Sequence, residues 1–155
     1  MRQSVSVVYA LLCVLCCSAF CLAATFSNCE STLGRYTEVS VSGCQASDAR
    51  CALVRGTNAS ISIKFIPNKD ITQVKARVYG ILIDIPVPFP LEKPDVCKDP
   101  DDGVSCPLNK DQEYHYTTTL FVQKNFPSVN VDIKWELVNE KGEKIVCIEF
   151  PARVK

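Results

Sequence analysis

The sequence predicts an all-β protein, an immunoglobulin-like antiparallel β-sandwich of two sheets. Apolar residues recur at every second position in several segments, which is the period of a half-buried strand. No segment after residue 25 shows a sustained helical period. Six or seven such strands in about 130 residues favour a sandwich of this size, with a small closed barrel as the competing architecture.

The first 23 residues are typical of a secretory signal peptide. Arg2 supplies a positive start, residues 5–22 are nearly all apolar, and cleavage is expected near Ala23 or Ala24. Residues 24–155 are then one domain with room for a single core. The sequon that begins at Asn58 predicts a glycan on that residue. The protein is therefore expected to be a secreted glycoprotein, with lysosomal delivery as an alternative destination.

Six of the ten cysteines lie outside the signal peptide: Cys29, Cys44, Cys51, Cys97, Cys106 and Cys147. An even number in an exported chain indicates three disulfides. Among the 15 possible connectivities, short separations favour the pairs Cys44 with Cys51 and Cys97 with Cys106, leaving Cys29 and Cys147 to join the two ends of the domain. Because this part of the chain has no C-x-x-C pair and a single histidine, no metal site is expected.

The charge balance excludes a typical nucleic-acid binder. Without Arg2 the chain carries 16 basic and 17 acidic residues, whereas nucleic-acid binding normally requires a basic surplus. The glycine patterns that cradle phosphates or dinucleotides are absent from the sequence, so no cofactor is expected.

Catalytic constellations are equally lacking in the sequence. His115 is the only histidine, and no G-x-S-x-G motif accompanies it. The acidic pair Asp101-Asp102 lies in a proline-containing segment, where a solvated loop is the simpler interpretation than acid–base chemistry. The chain is therefore not expected to be an enzyme.

The first predicted strands alternate clearly between apolar and polar residues. Val39 and Val41 alternate with serines, and Ile61, Ile63 and Phe65 alternate with Ser62 and Lys64. From Val74 the apolar set occupies even positions, but past Gly80 it moves to the odd positions 81, 83 and 85. A glycine at such a change of parity predicts a β-bulge there.

The second half of the chain continues the same pattern after a long loop. Residues 91–110 contain three prolines and several aspartates, which indicates a loop that Cys97 and Cys106 would hold together. Strands are predicted over 113–123, 129–137 and 143–152, with a hairpin turn at 139–142 between the last two.

Three prolines at alternate positions, Pro86, Pro88 and Pro90, remove consecutive backbone donors from one edge of an extended segment. That edge cannot pair with another strand. The intervening residues Val87 and Phe89 share one apolar face. We interpret this segment as a place where the sheets part and admit a hydrophobic guest, although a polyproline linker or a protected edge would give the same spacing.

The combination of cysteine order and proline spacing resembles the Niemann–Pick type C2 proteins of the ML (MD-2-related lipid-recognition) family, particularly the insect members. The resemblance spans essentially all of residues 24–155. It is carried by the six cysteines and by Gly80-Ile81-Leu82, Ile85-Pro86-Val87-Pro88-Phe89-Pro90, Cys106-Pro107, Phe126-Pro127 and Trp135-Glu136-Leu137.

The resemblance implies a β-sandwich that binds a sterol or similar lipid between its sheets without catalysis, and the bridges Cys29–Cys147, Cys44–Cys51 and Cys97–Cys106. The implied lipid-binding residues are Val87, Phe89, Leu120, Val122, Phe126, Trp135 and Ile148. Two of these depart from the vertebrate pattern. Phe126 stands where those members have tyrosine, and the missing hydroxyl implies a drier pocket there. Ile148 stands where a tryptophan is familiar, so a different cavity shape is expected.

Two functions fit these observations. The first is a carrier, expected to be a monomer, for a sterol, fatty acid or other hydrophobic small molecule, which would be handed to a membrane or a lipid-transfer receptor. The second is innate-immune recognition of a bacterial lipid such as lipopolysaccharide. An adhesion module with a solid core is a third, simpler interpretation.

Overall fold

The computed structural model describes residues 26–45 and 47–155, and nearly all of its regular structure is strand. The predicted signal peptide lies outside these ranges. Within them, the one helical element is a single 3₁₀ turn over Val96–Lys98, and no helix has the length and apolar character needed to cross a bilayer. The strands are β1 (Ser27–Asn28), β2 (Gly34–Val41), β3 (Cys51–Leu53), β4 (Asn58–Pro67), β5 (Lys75–Leu82), β6 (Ile85–Phe89), β7 (Tyr114–Phe121), β8 (Asn130–Val138) and β9 (Lys144–Val154).

The strands form two sheets, which confirms the predicted sandwich. The larger sheet has the order β1-β9-β8-β5-β6, with β3 also pairing β9, and the smaller sheet has the order β2-β4-β7. The described residues thus form nine strands and not six or seven, because β1 and β3 span two and three residues and are too short to show alternation. All pairs are antiparallel except β3 with β9, which is parallel.

The prediction of a β-bulge at Gly80 is wrong. β5 pairs β8 in unbroken register from Lys75 to Ile81, and Leu82, not Ile81, lies on the interior face. The chain instead reverses at Ile83 and Asp84, which both have positive φ, 49° and 60°. A two-residue turn of this kind matches the twist of a tight hairpin. The change of parity in the sequence therefore marks a reversal of direction.

β6 is an edge strand, as its prolines predict. In the hairpin register Pro86 lies opposite Ile81 and Pro88 opposite Tyr79. Along an antiparallel strand, successive backbone N–H groups point alternately towards the paired strand and away from it. The prolines occupy positions where the N–H would point away from β5, so no hydrogen bond to β5 is lost. No strand of the described residues covers this outer edge. The free edge of β6 borders the gap between the sheets.

The core is densely filled towards one end of the sandwich. Phe65, Leu108 and Leu137 are fully buried there. Three disulfides join Cys29 to Cys147, Cys44 to Cys51 and Cys97 to Cys106, the pairs that the spacing favours. The first of them fixes the N-terminal segment to β9, beside the short β1–β9 pairing. At the opposite end of the sandwich the inward side chains leave a space between the two sheets.

Candidate ligand cavity between the sheets

A cavity of about 190 Å³ lies between the two sheets at the end that carries the β5–β6 hairpin. Among the described residues that line it, only Ser60 and Trp135 have a polar side-chain atom. The wall consists of Val41, Leu53, Ala59, Ser60, Ile61, Val78, Gly80, Leu82, Val87, Pro88, Phe89, Leu120, Val122, Phe126, Pro127, Val129, Val131, Ile133, Trp135, Phe150 and Val154. An apolar guest would therefore meet almost no competing polar group.

Alternation along the strands directs these side chains inwards. On β8 the wall residues are Val131, Ile133 and Trp135, two positions apart, as a strand with one buried face requires. The register places Val78 of β5 opposite Trp135, and Gly80 opposite Ile133. A Cβ at residue 80 would lie only 3.2 Å from Val131 Cγ2. Because glycine has no side chain, it adds no bulk to this part of the cavity wall.

Two aromatic rings span the mouth of the cavity. Phe89 at the end of β6 and Phe126 after β7 meet edge to face, with ring centroids 5.6 Å apart and planes at 81°. Such a pair is favourable by about 0.5 to 1.5 kcal/mol beyond its buried area. Both rings are partly exposed. The contact joins the free edge of the larger sheet to the segment that leaves the smaller one.

The structure brings Val87, Phe89, Leu120, Val122, Phe126 and Trp135 together in the cavity wall. Ile148 is the exception. It is fully buried on β9 opposite Trp135, at the inner end of the cavity, where Val78 and Trp135 form the wall. Sequence reasoning missed several wall residues on β4, β5 and β8. The alternation of these strands shows which side chains point inwards. It does not show at which end of the sandwich the inward side chains leave a cavity between them.

Beside the inner end of the cavity lies a small group of buried polar side chains. Burial raises the pKa of the Tyr116 hydroxyl, so it stays protonated, while contact with Thr118 acts in the opposite direction. The Tyr116 and Trp135 ring centroids are 6.4 Å apart. Among the described residues, Trp135 Nε1 and Asp102 Oδ2 are the buried side-chain polar atoms without a hydrogen-bond partner.

Asp102 is held in the loop that the Cys97–Cys106 disulfide closes. It is 1% exposed, its Oδ1 accepts a hydrogen bond from the Val104 amide at 2.8 Å, and its carbonyl accepts one from the Thr117 amide at 2.8 Å. Burial raises the pKa of its carboxyl, as do Asp99 and Asp101, while the bond from Val104 and the charge of Lys93 lower it. The Asp102 carboxyl is therefore harder to ionise in the folded protein than in the unfolded chain.

Stability is therefore expected to fall as this carboxyl ionises. Because the folded pKa lies above the unfolded one, the contribution of Asp102 is complete below the unfolded pKa, about 3.9, and is lost as pH rises through the folded pKa. Asp102→Asn removes the titration, so its melting temperature should decline less between acidic and neutral pH than that of the wild type. Asp84→Asn, in the exposed hairpin turn, is the control and should keep the wild-type profile. A stability difference between wild type and Asp102→Asn that does not change with pH would contradict this assignment.

The other candidate groups lie elsewhere. His115 is exposed on β7 and is not part of the cavity wall; its Nε2 lies 3.4 Å from the Thr117 hydroxyl. Within the described ranges no group of three or more histidine, cysteine, aspartate or glutamate side chains is arranged to hold a metal ion. The cavity and its mouth are thus the site to which the apolar side chains converge.

Fold and cavity together define a class, the two-sheet β-sandwich that keeps an apolar cavity between its sheets. Residues 23–154 match the ML domain family. The "NPC intracellular cholesterol transporter 2 homolog a" of Drosophila melanogaster is 43% identical over 145 residues, which cover 92% of this chain and 97% of the relative. The chain belongs to the ML domain family and, within it, to the Niemann–Pick type C2 proteins.

Solved structures show the same architecture. The crystal structure of a Niemann–Pick type C2 protein from the Japanese carpenter ant superposes with a TM-score of 0.82 at 46% identity, covering 84% of this chain and 99% of the ant protein. Chicken MD-1, crystallised with lipid IVa, gives a TM-score of 0.53 at 18% identity, with 83% of this chain and 86% of MD-1 covered. The second likeness shows the fold alone.

Proposed function

We propose that this protein is a secreted lipid carrier that holds a sterol or related hydrophobic molecule between its two sheets. The observation that carries this proposal is the apolar cavity, whose wall includes six of the residues that the family resemblance implies. The name of the Drosophila relative points to cholesterol as its cargo. Burying apolar surface contributes about 25 cal/mol per Å², so a lipid enclosed here needs no charged contact to bind.

Binding requires the walls to move apart. Ligand pockets usually have volumes of about 300 to 1,000 Å³, whereas this cavity has about 190 Å³. The β6 edge is suited to such movement because no further strand of the described residues is hydrogen-bonded to it. We infer that Phe89 and Phe126 separate when a ligand enters, and that β6 moves with Phe89.

The hairpin beside the mouth supports delivery to a membrane or a lipid-transfer receptor. Ile83 is 95% exposed and Ile85 is 64% exposed, an unusual position for two large aliphatic side chains. Ile83 lies in the turn and Ile85 begins β6, two residues before Val87, which belongs to the cavity wall. Asn58 at the start of β4 is exposed, as a glycan on the secreted chain would require.

The test is direct binding by the purified, disulfide-intact protein to labelled cholesterol, oleate and lipopolysaccharide in separate assays. Saturable binding of cholesterol or oleate supports the carrier. Binding of lipopolysaccharide alone would overturn it in favour of bacterial lipid recognition, and binding of none of the three would favour an adhesion module.

Phe89→Ala is expected to weaken cholesterol binding by about 2 to 3 kcal/mol, because it removes a large apolar contact at the mouth. The measurement is the dissociation constant from fluorescence titration with a fluorescent sterol. His115→Ala, on β7 but outside the wall, is the control and should bind as the wild type does. Unchanged affinity in folded Phe89→Ala would place the ligand away from this mouth.

A further inference from the structure

A second, more polar groove of about 480 Å³ opens beside the mouth of the cavity. Phe89 and Leu120 belong to the walls of both, so the groove adjoins the cavity, and the two spaces join when Phe89 moves away from Phe126. The groove runs between the segment that follows β6 and the edge of β7, which is an edge strand of the smaller sheet. Threonine side chains of β7 contribute hydroxyl groups to it. An amphiphile that fills the apolar cavity would reach this groove with its other end.

The charged residues of the groove are acidic in excess. Glu92, Asp99 and Asp101 line it together with one cation, Lys93, which gives a net charge of −2. Lys93 Nζ already lies 3.2 Å from Asp99 Oδ1 and 3.2 Å from Asp101 Oδ2. Both carboxylates raise the pKa of Lys93, Asp99 most strongly, so the ammonium is held by them. Its charge is therefore already compensated, and none of the described residues that line the groove offers an entering anion an unpaired cation.

We propose that the polar end of the bound lipid lies in this groove and that its acidic rim makes the protein select uncharged lipids over anionic lipids with the same apolar body. This inference rests on the proposed carrier function and specifies its ligand class. A hydroxyl end can bond to the threonine hydroxyls and the carboxylates. A sulfate, phosphate or carboxylate end would meet like charges in a partly desolvated groove.

Cholesterol and cholesteryl sulfate form the matched pair for the test, each competing with a fluorescent sterol for the full secreted protein at neutral pH. At low salt the wild type is expected to bind cholesterol about three- to tenfold more tightly than the sulfate. The double variant Asp99→Asn/Asp101→Asn should bring the ratio of the two affinities close to one. High salt should reduce the ratio in the wild type, because it screens exposed charges.

Glu30→Gln/Glu140→Gln removes the same number of charges near the opposite end of the sandwich and should retain the wild-type ratio. Sterol binding with an equal or higher affinity for the sulfate would overturn the inference, and so would a preference that Asp99→Asn/Asp101→Asn leaves unchanged, because the polar end would then lie elsewhere. Absence of binding by either sterol, together with no binding of oleate in the direct assay, would instead refute the carrier function itself.

Discussion

Val122→Trp is expected to abolish sterol binding while the protein remains folded. Val122 is 2% exposed and belongs to the cavity wall just after β7. An indole at this position would fill much of a cavity of about 190 Å³ before any ligand arrives. Because a sterol would have to displace the ring and repack the wall, we expect a loss of at least about 4 kcal/mol in binding free energy.

The measurement is the sterol dissociation constant, with the melting temperature and circular dichroism recorded on the same samples. Val54→Trp is the matched control, since it makes the same substitution at a residue that is 43% exposed and outside the wall. It should bind as the wild type does. Wild-type affinity in folded Val122→Trp would mean that the lipid binds outside the space between the sheets.

The sequence predicts the long strands well because each has one buried face. The alternation over residues 129–137 reappears in β8, and that over 61–65 in β4. The tight hairpin escapes prediction because Ile83, a residue that favours strands, occupies a turn position with positive φ where asparagine or glycine would give a signal. The parallel pairing of β3 with β9 joins segments about 100 residues apart and has no local pattern.

The site is predictable only in part, for a related reason. Alternation identifies which side chains of β8 and β9 point inwards, but it does not distinguish the level where the sheets are packed from the level where they part. Ile148 and Phe150 share the inward face of β9, yet Phe150 lines the cavity and Ile148 is buried beside it. The acidic groove is even less predictable from the sequence. Its carboxylates lie in a segment whose composition indicates only a solvated loop, and it is the fold that places them beside Phe89.

Replacing Cys29 and Cys147 together with alanine is expected to lower the free energy of unfolding by about 4 to 5 kcal/mol. The bridge joins residues 118 positions apart, so it restricts the unfolded chain far more than a short loop does. Cys44→Ala/Cys51→Ala opens a bridge that spans 7 positions and should cost about 2 to 2.5 kcal/mol. Urea denaturation of both double variants measures the difference.

Equal losses in the two variants would contradict the loop-length explanation. Neither Cys29 nor Cys147 lines the cavity, so the sterol affinity of the molecules that remain folded should be unchanged. The Cys29–Cys147 bridge fixes the chain to β9, while β6 lies at the opposite edge of the same sheet. The edge of the larger sheet that holds the disulfide therefore contributes to stability, and the edge formed by β6 admits the ligand. If opening the bridge lowered sterol affinity as well, the two edges would be coupled, and the movement that admits a ligand would involve the whole sheet.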